Sequence, residues 1–373
     1  MYDPAAAPLV GRPVPHRVLN GGLTVFPLGA GCWPIGGPGS NRGVPMGWST
    51  AEDTASREAL ETAYELGVNL FDTADVYGHG HSERLLGGLL RQVPRASVVL
   101  SSKVGYFSGT AAHGYLPSHM RRQLETTLEN LGTDHLDIYH FHHPDFGPGD
   151  RHLEAAIAQM RAFQAEGLIR CVGLRGPHRL ASERTQLTSD EREDKHARFR
   201  RLFKAVRPEF LAVRYNALTP SPGPGQEDLF AFAAAHGTSV LINKPLGQGL
   251  LTGKYRPGEP TRFGAGDHRL RKRWFTPAAL DVVHQGLDPL RRHFGPTTAN
   301  LVRAALGACL RFGEHTAVLA GFTSPGHVRE NVAAVYHQLS AEELTLVLAT
   351  AQSLQHQLNT MGEVFVDEKA ASR

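Results

Sequence analysis

The sequence is poor in cysteine, in charge of one sign and in long apolar runs, and each shortage removes a class of protein. Three cysteines in 373 residues, Cys32, Cys171 and Cys309, show no CxxC spacing and cannot all pair. They read as reduced thiols of a cytosolic protein, not as a disulfide framework. A formal charge of +3 is too small to argue for nucleic acid or an acidic membrane surface as partner. No apolar stretch approaches the roughly 20 residues of a membrane span. The start, Met1-Tyr2-Asp3-Pro4, lacks the basic residues and apolar core of a secretory signal. A soluble, cytoplasmic protein is expected. Internal repeats and low-complexity tracts are also missing. No GxGxxG follows a strand, so the usual fingerprint of a Rossmann dinucleotide domain is absent. What remains is ordinary: 41% hydrophobic and 20% charged residues, enough to fill a core without suggesting disorder. The length suits two average domains or one large barrel.

Short apolar runs alternate with segments of helical period. The strand candidates are 27–32, 68–71, 97–103, 136–141, 169–174, 210–213, 239–242 and 316–320. Helices are expected at 51–66, 82–90, 118–131, 153–166, 199–205, 227–236, 298–312 and 328–336. Eight strand-then-helix units argue for an α/β fold, a closed parallel (β/α)8 TIM barrel, since a doubly wound open sheet rarely needs eight. Arg17-Val18-Leu19 and Leu23-Thr24-Val25, joined by Asn20-Gly21-Gly22, read as a hairpin placed to plug the bottom. The expected organisation is a tail at 1–16, a single barrel domain at 17–358 and a second tail at 359–373. Two segments break the rhythm: charge-rich 177–207 and Gly-, Pro- and Arg-rich 254–274. Both are expected over the mouth, as solvated loops or as lids on a ligand.

The chemistry concentrates in Phe71-Asp72-Thr73-Ala74-Asp75-Val76-Tyr77-Gly78. Asp72 ends a strand candidate and Tyr77 lies in the loop beyond. A phenol titrates near pH ~10, so a Tyr that donates a proton at neutrality needs a cation beside it and something to hold that cation. Lys103 and His142 end or follow two further strands. Taken singly, Asp72 reads equally as a turn cap, Lys103 as a surface lysine and His142 as a core imidazole. A metal site in His140-Phe141-His142-His143 is disfavoured: His140 and His142 share a strand face, His143 does not, and no third ligand is spaced nearby. Together the four groups form a catalytic set.

The chain resembles the aldo-keto reductase family over 17–331. Gly67-Val68-Asn69-Leu70-Phe71-Asp72-Thr73-Ala74 with Tyr77-Gly78 is similar to the family's first signature. Asp137-Ile138-Tyr139 with His142 and Pro144-Asp145 is similar to its histidine strand. Gly167-Leu168-Ile169-Arg170 with Val172-Gly173, Leu250-Leu251-Thr252-Gly253-Lys254-Tyr255 and Glu330-Asn331 resemble the cofactor segments. The resemblance implies an NAD(P)H-dependent oxidoreductase that reduces an aldehyde, ketone or sugar carbonyl. Tyr77 would be the general acid, Lys103 would lower its pKa, Asp72 would hold Lys103, and His142 would orient the carbonyl. NADPH is the implied nucleotide, with NADH the alternative. It would lie along Gly31, Arg175, Asn243, Leu246, Gly247, Gly249, Leu250, Lys254, Gly321, Thr323, His327, Glu330 and Asn331. Gly247 and Gly249 would let backbone N–H groups approach a pyrophosphate, or simply form a turn. The helix start after Thr323-Ser324 suits a further phosphate. His327 stands where an arginine for the 2′-phosphate is common, and Arg329 is the substitute or faces solvent. Trp33, Trp48 and Tyr106 are candidates for the substrate pocket, or for loop packing. Expected partners are a small carbonyl substrate, with no nucleic acid and no membrane.

Three positions depart from the family pattern. Leu174-Arg175-Gly176 replaces a Ser-Asn pair that binds the carboxamide, Ala212 replaces a glutamine, and Asn243 replaces the aromatic residue that stacks on the nicotinamide. Losing a stack and such hydrogen bonds weakens binding by several kcal/mol on usual magnitudes. Arg175 either repairs part of this, reaches a substrate carboxylate or phosphate, or fills a loop. The departures leave two rival readings: a redox-neutral enzyme of isomerase or lyase type on the same barrel, and a subunit that binds a dinucleotide as a sensor.

Overall fold

A computed structural model describes residues 15–49, 51–177, 195–219, 227–259 and 263–361. Residues 1–14 of the expected tail at 1–16, most of the charge-rich 177–207 segment and the end of the chain from 362 lie outside the described residues. The strands, in chain order, are β1 (Arg17–Leu19), β2 (Leu23–Val25), β3 (Leu28–Gly31), β4 (Ser40–Asn41), β5 (Val44–Pro45), β6 (Leu70–Asp72), β7 (Val99–Val104), β8 (Leu136–Phe141), β9 (Ile169–Arg175), β10 (Phe210–Arg214), β11 (Ser239–Asn243) and β12 (Thr316–Gly321). Eight of them close a parallel barrel in the order β10-β11-β12-β3-β6-β7-β8-β9. The helices are α1 (Asp53–Glu65), α2 (His81–Leu90), α3 (Pro117–Leu131), α4 (Leu153–Ala165), α5 (Lys195–Val206), α6 (Leu229–Ala235), α7 (Pro277–Gly286), α8 (Asp288–Phe294), α9 (Thr298–Leu310), α10 (Pro325–Tyr336) and α11 (Ala341–Thr360). The closed barrel is the fold expected from the sequence.

Side chains alternate across each strand, so every second residue enters the barrel. The lowest interior layer is apolar and joins Leu70, Val99, Ile138, Cys171, Phe210, Leu241, Ala317 and Leu319. The β1–β2 hairpin seals this end, adding Leu19, Leu23 and Val25 to the same cluster. Its turn needs left-handed glycines at Gly21 and Gly22, with φ of 70° and 67°. A Cβ on Gly21 would also stand 2.6 Å from Cys171 Sγ. Asn20 pins the turn by donating from Nδ2 to Glu209 O and Gly237 O, at 2.9 and 2.6 Å.

Moving up two residues on each strand changes the chemistry. Val99 is followed by Ser101 and Lys103, Ile138 by His140 and His142, and Cys171 by Gly173 and Arg175. An apolar floor thus gives way to polar groups at the C-terminal mouth, where barrel active sites form.

Helices α7, α8 and α11 were not expected from the sequence. With α9 they enclose a second apolar cluster containing Leu280, Leu287, Leu301 and Leu354, and it also takes in Leu250 and Leu251 from the mouth. Legible signals existed. Thr276 caps α7 by accepting from Ala279 N at 3.3 Å, with Pro277 in the first turn. Ser340 and Glu343 form a reciprocal capping box at α11, with bonds of 2.9 and 3.1 Å.

Candidate active site

Asp72, Lys103, Tyr77 and His142 converge at one side of the mouth. Lys103 Nζ donates to Asp72 Oδ1 at 2.5 Å and to the Thr73 carbonyl at 2.6 Å. Ser101, two residues before Lys103 and so on the same face, donates to Asp72 Oδ2 at 2.7 Å. Both oxygens of the carboxylate are therefore occupied, and its direction is fixed. The ion pair is almost wholly buried, with its side chains 5% and 6% exposed.

The ammonium lies 5.1 Å from the centre of the Tyr77 ring. Burial alone would discharge it, but Asp72 and Tyr77 outweigh that and raise its pKa above the ordinary lysine value. Lys103 is therefore a permanent cation. Burial pushes the Tyr77 phenol up to about 12, an effect that the Lys103 charge opposes. Tyr77 thus holds its proton across the physiological range.

The His142 ring stands edge-on to Tyr77, centroids 5.9 Å apart. Burial, then the charges of Lys103 and Arg175, drive its pKa well below 6.5. It is a neutral imidazole, able to donate one hydrogen bond. His143 points elsewhere, its Nε2 bonded with the Gly105 carbonyl oxygen at 2.8 Å.

Beneath this set lies His140, fully buried, with neither ring nitrogen partnered among the described residues. It occupies space that only a glycine leaves, because a Cβ on Gly173 would collide with its ring. Burial and then Lys103 hold its pKa well below 6.5. The unfolded chain takes up a proton at this residue below about pH 6.5 and the folded chain does not, so His140 makes stability fall as pH drops. The variant His140→Leu should therefore gain on the wild type by about 1.4 kcal/mol per pH unit below about pH 6. Denaturant midpoints from pH 7 down to pH 5 check this, and parallel curves would refute it.

The rim is aromatic and basic. Trp33 lies 6.3 Å from Tyr77, and Lys244 Nζ sits 4.8 Å over the Trp33 ring. Tyr106 stands edge-on to His142 at 4.6 Å and accepts a 2.5 Å hydrogen bond from Arg175 NH1. Trp48 is only 8% exposed: it backs Trp33 edge-on at 5.8 Å, with the Arg269 guanidinium 3.7 Å over its own ring. Loop packing accounts for it. The stretch 263–270, inside the 254–274 loop expected over the mouth, is fastened here. Buried Asp267 accepts from Ser49 N and Oγ at 2.9 and 2.8 Å and pairs with Arg269 at 2.7 Å.

Other expected cofactor positions form a second arc along β11, β12 and β3. Gly31 pairs with Gly321 on one side and Asp72 on the other, which brings this arc to the catalytic cluster. Asn243 ends β11, its carbonyl accepting from Tyr215 N at 3.2 Å. In the turn after it, Gly247, Gln248 and Gly249 all have positive φ. The expectation that Gly247 and Gly249 offer N–H groups is corrected. Those groups bond within the turn, to Lys244 O and Leu246 O at 3.0 Å each. A Cβ on Gly249 would stand 2.7 Å from Lys254 Cε, so the glycine lets the lysine side chain pack against this turn. The buried Gln248 Nε2 has no partner among the described residues. Leu246 is partly buried, whereas the Leu250 side chain is fully buried in the second cluster.

Thr323 Oγ1 and His327 Nδ1 lie 3.1 Å apart at the start of α10, where Ser324 caps the helix. The charge of Lys254 reaches His327, and Arg329 is exposed. Glu330 is partly buried on the same helix, and burial raises its pKa. Asn331 turns its amide inward, donating to Gly321 O at 3.2 Å.

Ser101, Lys244 and Arg214 were not singled out from the sequence. Ser101 was detectable from its two-residue spacing to Lys103. Lys244 was hidden because its left-handed backbone (φ 58°) carries it off the strand's alternation.

A closed parallel barrel with Asp, Lys, Tyr and His meeting at its mouth defines the class, and sequence comparison agrees. The model of the Aldo/keto reductase family matches residues 27–351, and the chain belongs to that family. Among its relatives is the NADH-specific methylglyoxal reductase of Escherichia coli, 27% identical over 350 residues, covering 89% of this chain and 97% of that protein. L-galactose dehydrogenase of Arabidopsis thaliana is 28% identical over 322 residues, covering 85% and 86%. Among solved structures, an aldo-keto reductase from Klebsiella pneumoniae in complex with NADPH superposes with a TM-score of 0.61 at 23% identity, covering 91% and 96%, a likeness of fold. Among the described residues no helix is long and apolar enough to cross a membrane.

Proposed function

We propose that this chain reduces an aldehyde, ketone or sugar carbonyl to the alcohol, with NADPH as hydride donor and NADH as the second nucleotide. The observation that carries the reading is the buried Lys103–Asp72 pair set against a protonated phenol and a neutral imidazole at the barrel mouth. A relative named for NADH and a neighbour solved with NADPH support the nucleotide. So does the arc: the Lys254 side chain packed against Gly249, the buried Gln248 amide without a partner among the described residues, and the Thr323–His327 pair suit a dinucleotide carrying phosphates. The residues fit. Leu246, Gly247, Gly249, Leu250 and Lys254 would line the pyrophosphate, with Thr323, His327, Glu330 and Asn331 toward the adenosine, and Gly31, Asn243 and Gly321 near the nicotinamide.

When bound, the reduced nicotinamide supplies a hydride to the carbonyl carbon. The protein's own part is the proton and its control. Tyr77 Oη gives its proton to the carbonyl oxygen, and Lys103 stabilises the phenolate that remains. Asp72, fixed by Ser101, keeps the ammonium in place. His142 donates a hydrogen bond to the same carbonyl oxygen, where negative charge grows during the reaction. Trp33 and Tyr106 wall the pocket on either side, and exclude water from the reacting pair.

Titration with NADPH and NADH, read by nucleotide fluorescence, tests the reading. It predicts saturable binding of NADPH and its oxidation on addition of an aldehyde. Binding of neither nucleotide would overturn it.

A further inference from the structure

Two residues before Tyr77, Asp75 is buried, and neither of its carboxyl oxygens has a hydrogen-bond partner among the described residues. The catalytic set does not use it. Its surroundings lie behind the barrel wall, on the outward face of β7 that Ser102 occupies. There Glu83 of α2 accepts from Ser102 Oγ at 3.1 Å, Thr127 Oγ1 at 2.9 Å and Asn130 Nδ2 at 3.0 Å. Those three donors, with exposed Arg84, oppose the rise that burial imposes on the Glu83 pKa. Asp75 has no such set. Burial, then the Glu83 charge, drive its pKa well above the ordinary carboxyl value. Neither the Val76 N–H, which falls short of hydrogen-bond geometry, nor Lys103 offsets them. Lys103 is already committed to Asp72 and the Thr73 carbonyl. The other titratable neighbours, Tyr115 and Tyr139, are phenols that burial keeps protonated. A carboxyl so placed is stable only with its proton on.

The backbone connects this acid to the site. Asp75 N donates to the carbonyl of Lys103 at 3.5 Å, and Tyr77 N to that of Ala74 at 3.0 Å. One short turn therefore joins Asp75, Tyr77 and the strand that carries the ammonium. An ionised Asp75 escapes the Glu83 charge only by moving toward water, which draws this turn away from Lys103. We propose that the proton on Asp75 is a latch: it holds the 73–78 turn in its folded position, and its removal by alkali releases the turn and Tyr77 with it. The latch goes beyond the reductase reading and needs it only for the effect on turnover.

Unfolding and hydrogen exchange test it. Below about pH 4 Asp75 is protonated in the folded and the unfolded chain alike. Above that the unfolded chain releases the proton and the folded chain keeps it, so Asp75 makes stability fall as pH rises. Asp75→Asn keeps a neutral side chain of the same shape. Its folding equilibrium constant should gain on the wild type about tenfold per pH unit, until the folded wild type itself loses the proton. Asp75→Ala should show the same slope whatever its packing costs, and His140 titrates alike in all three chains. Denaturant midpoints from about pH 5 to about pH 6.5 measure the slope, and parallel curves overturn the proposal. In hydrogen-exchange mass spectrometry the protection of 73–78 should fall at least about tenfold in alkali in the wild type and persist in Asp75→Asn. Equal protection in both overturns the latch. Wild-type turnover falls with the protection, at a pH where Tyr77 still holds its proton. Absence of turnover with either nucleotide at any pH removes the reductase reading, and the slope and the protection still decide the latch.

Discussion

Tyr77→Phe lowers aldehyde turnover by about a thousandfold, within the range that a positioned general acid contributes. The variant loses one oxygen atom from a side chain whose ring contacts, with Trp33 and His142, remain. Nucleotide binding should stay within a few-fold, because the positions proposed for the dinucleotide lie on other strands. The burial that raises the phenol's pKa to about 12 also keeps Tyr77 protonated, so the wild-type reductive rate should show no loss of the acid between pH 6 and 9. The reverse reaction needs the phenolate and should instead rise with pH. Steady-state kinetics of the wild type and Tyr77→Phe across that range check the expectation. A Phe variant within threefold of the wild type would remove Tyr77 from its role.

Lys103→Met has two expected effects, one on folding and one on turnover. The Lys103–Asp72 pair is buried at 5% and 6% exposure, so removing the cation strands a carboxylate inside the barrel. Breaking such a pair costs about 3–5 kcal/mol. Thr73 O loses its side-chain donor at the same time. The double variant Asp72→Asn with Lys103→Met removes the stranded charge and should recover part of the stability while recovering none of the turnover. That split separates structural from chemical roles. Urea unfolding and initial rates on the same preparations measure it. A single variant as stable as the wild type would contradict the buried geometry, and a double variant with restored turnover would contradict the need for a cation beside Tyr77.

The barrel was legible because its strands are apolar runs bounded by punctuation. Segment 136–141 coincides with β8, and 169–174 falls one residue short of β9. Asp72, Lys103 and His142 were legible for the same reason: they end or follow strands, and a parallel barrel collects strand ends at one mouth. Helices α7 and α11 were not legible although Thr276 and Ser340 carry capping signals, because they lie outside the strand–helix alternation of the barrel. Pairwise geometry was out of reach. Nothing in Gly247-Gln248-Gly249 says that its N–H groups close their own turn. Nor does a Trp in a loop reveal whether it stands beside Tyr77, like Trp33, or is roofed by an arginine, like Trp48. The turn's bonds are local, but the tryptophan surroundings depend on contacts more than 200 residues apart, as Asp267 with Ser49 at a separation of 218.

The most direct measurement follows the hydride. The enzyme is incubated with an aldehyde and NADPH carrying deuterium at its transferable position, and the product is examined by mass spectrometry and NMR. The account predicts an alcohol with one deuterium on the carbinol carbon, formed mole for mole with oxidised nucleotide and suppressed in Tyr77→Phe. A product free of deuterium, or carbonyl conversion without nucleotide oxidation, would contradict it.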